Sequence, residues 1–348
     1  MGSDSVLKLD YLSRAELAER PASWWQNVLG VAAFDAAAPR APSSGVPMVS
    51  VQTPVLGAEA RRFEVWQSAE AAQSGARGRI QYRSSGGVVF GRVSVAESEL
   101  DDLRDKLSPL QRATELAYRE IFAVIDALTM PYLVRVWNYL PDINGASHGS
   151  ERYWQFNGAR QDGFIACGRA ITGAIPAACG VGSALGTPLV IYFIASAAPP
   201  TVIENPRQVS AYHYPPAYSP RSPTFSRACV ADFSGGRMLF ISGTASILGH
   251  ATVHVGDAAE QTRETLRNIE ALLSAANREA GAQSPFTMAG LCYKAYVRRA
   301  ADHAVIEHEL RAALGEGAQA LYLRADLCRE DLLVEIEAAG CGIANRKS

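Results

Sequence analysis

No HExxH or Walker A sequence occurs in the 348 residues. Helix-borne zinc peptidases and P-loop nucleotide enzymes are therefore excluded at the level of motifs. Six cysteines (167, 179, 229, 292, 328 and 341) stand apart, with no CxxC or Cys/His ligand spacing. A structural metal is not encoded, and a reduced, cytoplasmic protein is expected. Basic residues are balanced and dispersed: 33 Lys and Arg against 35 Asp and Glu give a net charge of −2. That argues against a nucleic-acid partner. The longest apolar stretch, 164–203, is interrupted by Arg169, several glycines, Pro176 and Pro188, so it reads as buried helix and strand and no membrane span is expected. The opening MGSDSVLKLD shows no charged, apolar and cleavage segments in series, and no secretory leader is expected. GVGSALG (180–186) matches GxGxxxG loosely but follows no strand-to-helix turn, so no dinucleotide site is expected.

What is present is a chain of 48% hydrophobic and 20% charged residues, the profile of a compact globule of roughly two domains. One element order occurs twice. GGVVFGRVSV (86–95) reads as a strand and SPLQRATELAYREIFAVIDAL (108–128) as a helix. PYLVRVWNYLPDIN (131–144) is a strand, ERYWQFNGARQDGFIA (151–166) a helix and TPLVIYFIAS (187–196) a strand. The second copy starts at GGRMLFISGTASI (235–247). A long amphipathic helix follows, GDAAEQTRETLRNIEALLSAAN (256–277), with Asp257 as its N-cap. AGLCYKAYVRRAAD (289–302) is a strand, and HAVIEHELRAALGEG (303–317) is a helix ended by Gly315 and Gly317. ALYLRADL and LLVEIEAA close the copy as strands. The repeat spacing of roughly 150 residues predicts an α+β protein of two tandem domains, each an open sheet with helices on one face. The expected boundaries are an N-terminal extension over 1–50, domains over 51–200 and 224–348, and a connector over 201–223. Residues 199–223 hold seven prolines and three tyrosines, which predicts an extended connector docked through its rings. Within 13–30, SRAELAERPASWWQNVLG reads as a short helix with a Trp24–Trp25 anchor.

Pattern alone leaves the candidate chemistry open. Glu335 and Glu337 are two apart on a strand and so share a face. On a solvent face they are ordinary carboxylates. In an apolar cleft a carboxylate has a raised pKa and can act as a general acid, the more so beside a second carboxylate. Gly243, inside the strand pattern of ISGTAS, marks either a bulge or a close backbone approach by a ligand. Arg152, Tyr153 and Arg160 lie on one predicted helix, and the spacing of eight is expected to put both arginines on one face; Tyr212, Tyr214, Tyr218 and Arg221 lie in the connector. They form either a solvated surface with ordinary aromatic packing or a set of guanidiniums and phenols that holds small carboxylates.

The stretch FSRACVADFSGGRMLFISGTAS, the long helix and strand after it, and VEIEA near the end resemble the RidA/YjgF family over roughly 220–340. From about residue 60 onward the chain resembles the chorismatases. RYWQFNGAR, PRQVSAYHYPPAYSPRSPTFSRA, FISGTASI and LVEIEA carry that likeness. The resemblance implies chorismate as substrate, pyruvate as one product and no cofactor. Family members either hydrolyse chorismate to a dihydroxycyclohexadiene carboxylate or convert it to 3-hydroxybenzoate; a Cys at the place of Cys328 is similar to the second kind. On that substrate Glu335 is expected as the acid that protonates the enolpyruvyl methylene, and Cys328 as the residue that keeps water off the resulting cation and helps orient the C4 hydroxyl. Arg152, Tyr153, Arg160, Tyr212 and Arg221 are then expected to hold the substrate carboxylates. Backbone around Gly243 and Thr244 would allow its close approach. Gln319 aligns where single RidA proteins often carry a carboxylate-binding Arg, which weakens an enamine or imine deaminase reading. A non-catalytic small-acid binder on the same fold is the remaining alternative. Oligomeric state stays open between a monomer with pseudo-symmetric halves and a trimer.

Overall fold

The computed structural model describes residues 7–35, 45–57, 61–100, 106–233, 236–280 and 285–342. Two six-stranded sheets and one four-stranded sheet make up its body. The second sheet contains β5 (Gln73–Arg77), β6 (Ile80–Ser85), β7 (Val88–Val95), β8 (Tyr132–Pro141), β11 (Ala177–Ser183) and β12 (Leu189–Ser196). The third contains β13 (Thr201–Ile203), β14 (Ala228–Phe233), β15 (Gly236–Ala245), β18 (Cys292–Val297), β19 (Gln319–Arg324) and β20 (Val334–Cys341). Two short hairpins, β9 (Ala146–Ser147) with β10 (Ser150–Glu151) and β16 (Ile247–Leu248) with β17 (Ala251–Thr252), stand beside them. The spatial orders are β11-β8-β12-β7-β6-β5 and β19-β18-β20-β15-β14-β13. Strand by strand these are the same arrangement, so the expected α+β tandem is present in both sheets.

Local sequence explains where the helices start. Ser108 caps α2 (Pro109–Ala127) in a capping box with Gln111, and Pro109 occupies the first turn. The Asp257 side chain accepts from the Glu260 amide at 3.0 Å at the start of α4 (Ala258–Ala280). Gly315, at φ +87°, ends α5 (His303–Leu314). Among the described residues no helix is long and apolar enough to cross a membrane.

The first sheet was not foreseen. β1 (Leu7–Ser13), β2 (Val28–Phe34), β3 (Met48–Val51) and β4 (Arg61–Ser68) pair in the order β1-β4-β2-β3. The boundary expected at residue 50 thus falls inside a strand, and 7–68 form one unit. β2 and β3 are parallel, β4 is antiparallel to β2, and β1 is antiparallel to β4. The β18–β19, β18–β20 and β15–β20 pairs repeat those directions. The unit is therefore a reduced third copy, in which the five-residue α1 (Arg14–Ala18) takes the place of a long first helix.

Each sheet turns one face outward and one inward. The outer faces pack on helices: Ile121 and Phe164 in the second unit, Ile269 and Leu310 in the third, Leu17 and Trp25 in the first. The inner faces meet in one shared core, with Trp66, Trp137, Tyr192, Phe240, Tyr296 and Leu323 buried together. Three sheets around one core leave clefts where neighbouring units meet.

Candidate active site

One such cleft lies between the second and third units of a single chain. One wall comes from α3 (Arg152–Ala166) and β11; the other comes from β15, β20 and the β19–β20 loop; Tyr214, Tyr218 and Pro223 of the connector, with Phe225 just after it, close one side. The connector is thus docked through two of its three tyrosines. The space between the walls is about 750 Å³ counting its open mouth.

Glu335 lies in the cleft with its side chain buried. Burial, and then the like charge of Glu337, push its pKa up to about 8, while Arg135, Arg227 and Arg298 act in the opposite direction. A carboxylic acid is thereby kept protonated near neutrality. Gly243 makes room for it. The β15–β20 register shifts between Ile241 and Thr244, and a Cβ on Gly243 would come to 1.9 Å from the Glu335 Oε1. Of the two readings of this glycine the strand shows the bulge, and what comes close to it is the Glu335 side chain. Gly243→Ala is expected to displace the carboxyl and to reduce turnover about 100-fold while leaving the fold intact; unchanged kcat together with a native circular dichroism spectrum would remove that constraint. Thr244 points elsewhere, its hydroxyl donating to the Ser242 carbonyl at 2.9 Å behind the bulge.

The walls supply cations. Tyr153, Phe156, Asn157 and Arg160 line the cleft at i, i+3, i+4 and i+7 of α3, one helical face. Arg160 is buried against the rings of Tyr118 and Phe164, 5.2 and 5.3 Å from their centroids. From the third unit and its loop come Arg227, which donates to the Tyr214 hydroxyl at 2.6 Å and the Val209 carbonyl at 2.8 Å, and Arg329, 3.9 Å above the Tyr218 ring. Among the described residues none of these three guanidiniums forms an ion pair. Buried donors on all of them (Arg160 Nε and Nη2, Arg227 Nε, Arg329 Nη2), and Asn157 Nδ2, lack hydrogen-bond partners. Unsatisfied buried donors are costly, and an anionic ligand entering here would satisfy them. Cys328 lines the same cleft, its thiol pushed up to about 12 by burial and by Glu335, so it is neutral and not a thiolate nucleophile.

Besides Thr244, three residues expected in the site lie outside it. Arg152 donates to the Pro141 carbonyl at 2.9 Å and pairs with Glu97. Eight residues overshoot two helical turns by about 80°, so Arg152 and Arg160 do not share a face as expected; Tyr153 and Arg160 do. Arg221 is exposed and pairs with Asp162. Tyr212 packs edge-on against His213, with ring centroids 4.6 Å apart. Arg227, Arg329 and Asn157 were not anticipated. All three stand inside or next to motifs already singled out, beside Ser226, Cys328 and Phe156, and that proximity was the available signal.

Glu337 shares a strand face with Glu335 but has different company. Its Oε1 accepts from Trp137 Nε1 at 2.6 Å and lies 2.7 Å from Lys294 Nζ; its Oε2 accepts from Arg135 at 2.5 Å and Tyr296 at 3.1 Å. Lys294 also pairs with Glu64 and donates to the Tyr192 hydroxyl at 3.0 Å. One residue from each of β4, β12 and β20 thus meets at Lys294, at the centre of the three units. Lys294 and Arg135 hold the Glu337 carboxyl below its usual range despite burial.

The cleft thus brings together, between two like α+β units, a buried carboxyl with a raised pKa and, on both walls, guanidiniums that form no ion pair among the described residues. Residues 64–195 match the family model for the chorismatase FkbO/Hyg5-like N-terminal domain. A 3-hydroxybenzoate synthase of Streptomyces hygroscopicus is 38% identical over 79% of this chain and 80% of its own length. A chorismatase of the same organism is 35% identical, over 84% and 83% respectively. The crystal structure of a chorismatase superposes with a TM-score of 0.83 at 30% identity, covering 97% of this chain and 99% of that one. The chain belongs to the chorismatase family.

Proposed function

We propose that the protein converts chorismate to 3-hydroxybenzoate and pyruvate without a cofactor. The observation that carries this reading is the buried, protonated Glu335 facing guanidiniums that form no ion pair among the described residues. Chorismate brings two carboxylates and one acid-sensitive enol ether. Arg160 with Asn157 on one wall, and Arg227 with Arg329 on the other, are the groups that would hold the carboxylates and aim the vinylic CH2 at Glu335. The relatives named 3-hydroxybenzoate synthase and chorismatase support the substrate.

Glu335 gives its proton to the CH2 carbon, which forms an oxocarbenium ion and makes the side chain a leaving group. The C4 hydroxyl oxygen then bonds to C3 as the C3–O bond breaks. Pyruvate departs with the bond's electrons as its carbonyl, and the hydroxyl proton returns to the Glu335 carboxylate. The resulting arene oxide opens and loses its ring proton to give 3-hydroxybenzoate. Chorismate equals the sum of the two products, so no water enters. In the hydrolytic variant water adds to the oxocarbenium carbon instead, and the hemiketal collapses to pyruvate and a diol.

Incubation with chorismate, followed by assays for pyruvate and chromatography of the aromatic product, tests the reading; absence of pyruvate release sinks it. Cys328, neutral and beside Glu335, fills space that a nucleophilic water would need. Cys328→Ala is expected to shift the product mixture from 3-hydroxybenzoate toward the dihydroxycyclohexadiene carboxylate. An unchanged ratio would show that the thiol does not exclude water. Gln319, exposed at the start of β19 in a separate groove with Val55 and Tyr322, offers no carboxylate-binding cation, and ammonia release from 2-aminoacrylate is not expected.

A further inference from the structure

The loop that brings Cys328 and Arg329 to the cleft has no helix or strand of its own between Ala325 and Leu333. Such a segment is mobile unless its backbone groups are tied down. The ends are held by the Gly182 amide on the Asp326 carbonyl and by Gln261 on the Asp331 carbonyl and the Leu333 amide; around Cys328 one side chain collects the carbonyls. Arg298, just after β18 and outside the cleft lining, donates from Nε to the Leu332 carbonyl at 2.8 Å. Its Nη2 reaches the carbonyls of Leu327 at 3.0 Å and Arg329 at 2.8 Å. Its Nη1 reaches Asn144 Oδ1 and Asp326 Oδ1, both at 3.1 Å. All five guanidinium N–H donors are engaged. Asn144, from the second unit, donates in turn to the Leu327 carbonyl at 2.9 Å. Cys328 is therefore bracketed by two carbonyls, at 327 and 329, held on one nitrogen and anchored across to the opposite wall.

The Asp326 contact does not account for this arrangement. Its side chain is 56% exposed, and exposed ion pairs contribute little. The backbone carbonyls are what only a planar fork can collect together; a lysine ammonium keeps the charge but not the geometry.

We propose that Arg298, with Asn144, is a positioning residue that fixes the Cys328–Arg329 backbone against the second unit and so sets where the thiol and the Arg329 guanidinium stand relative to Glu335. Its activity arm rests on the function proposed above. Arg298→Lys preserves the positive charge near Glu335 and removes the fork. It is expected to lower kcat on chorismate about 100-fold and to move the product mixture toward hydrolysis. Iodoacetamide alkylation of Cys328, followed by peptide mass mapping, is expected to accelerate about tenfold or more as the loop opens. Cys229, buried in the shared core, stays at its wild-type alkylation rate and so excludes global unfolding. Asn144→Ala should move the same readouts in the same direction by a smaller factor, and it decides the matter if the lysine variant does not fold. Folded variants that keep both the wild-type product ratio and the wild-type Cys328 alkylation rate overturn the proposal. If the wild-type protein releases no pyruvate, the proposed function falls, while the alkylation rates still decide the role of Arg298.

Discussion

Glu335→Gln is expected to release pyruvate from chorismate about 10²- to 10⁴-fold more slowly than the wild type, the range that a positioned general acid supplies. Glutamine preserves the shape next to Gly243 and loses only the transferable proton. The wild-type pH dependence should carry the same signature. The reaction needs the acid form, and Glu335 titrates at about 8, so kcat/KM should be flat below that and fall as pH rises through it. Stability follows the same sign. The folded-state pKa lies above the ordinary carboxylate value of 4.5, so the folded protein binds this proton more tightly than the unfolded chain. The corresponding stability is fully present below about pH 4.5 and is lost as pH rises through about 8. The glutamine variant lacks this loss, so its Tm should exceed the wild type's at pH 9 and approach it at pH 5. A Glu335→Gln enzyme with near-normal turnover would remove this residue from the chemistry. A Tm difference independent of pH would show that the acid is not held protonated by the fold.

The repeated units were legible because their signals are local. Gly-Gly before β15, the Ser108–Gln111 box, the Asp257 cap and Gly315 each act within a few residues of their own element. The strand parity of Glu335 and Glu337 needs only the period of two. The first unit was illegible for the converse reason: a five-residue helix gives too little helical periodicity, and β1–β4 are specified by pairings such as Leu9 with Trp66 that are distant in sequence. β11 was hidden by composition. Its sequence AACGVGS lacks a β-branched alternation because Gly180 and Gly182 face close neighbours; a Cβ there would come to 3.2 Å from Tyr153 and 3.1 Å from Asp326. In the site, Tyr153, Arg160, Gly243, Cys328 and Glu335 came together where motif reading put them. The arginines were only partly sorted. Arg152 failed on helical phase, and Arg227 and Arg329 owe their cleft positions to ring packing on Tyr214 and Tyr218, which no spacing rule reveals.

Glu337→Gln should produce the largest combined effect on stability and acidity, because Glu337 is the hub of a buried, charge-balanced group. Glu64 and Glu337 offset Lys294 and Arg135, and all four are buried. Removing one partner of a buried ion pair leaves an uncompensated charge and costs about 3–5 kcal/mol. Two consequences reach Glu335 with the same sign. The like charge that raises its pKa disappears, and Arg135, which lowers it, is no longer neutralised. The fall of kcat/KM should therefore begin at lower pH than in the wild type, so that activity lost at pH 7.5 is partly recovered at pH 6. The double variant Lys294→Met/Glu337→Gln restores charge balance, leaving Glu64 with Arg135. It should be more stable than Glu337→Gln alone, a coupling expected for residues in one network. Its alkaline limb should nevertheless stay below the wild-type position, because the carboxylate beside Glu335 is still missing. A Glu337→Gln protein whose pH profile superimposes on the wild type's would mean that burial alone sets the acidity of Glu335, and that the central ion cluster serves only to join the three units.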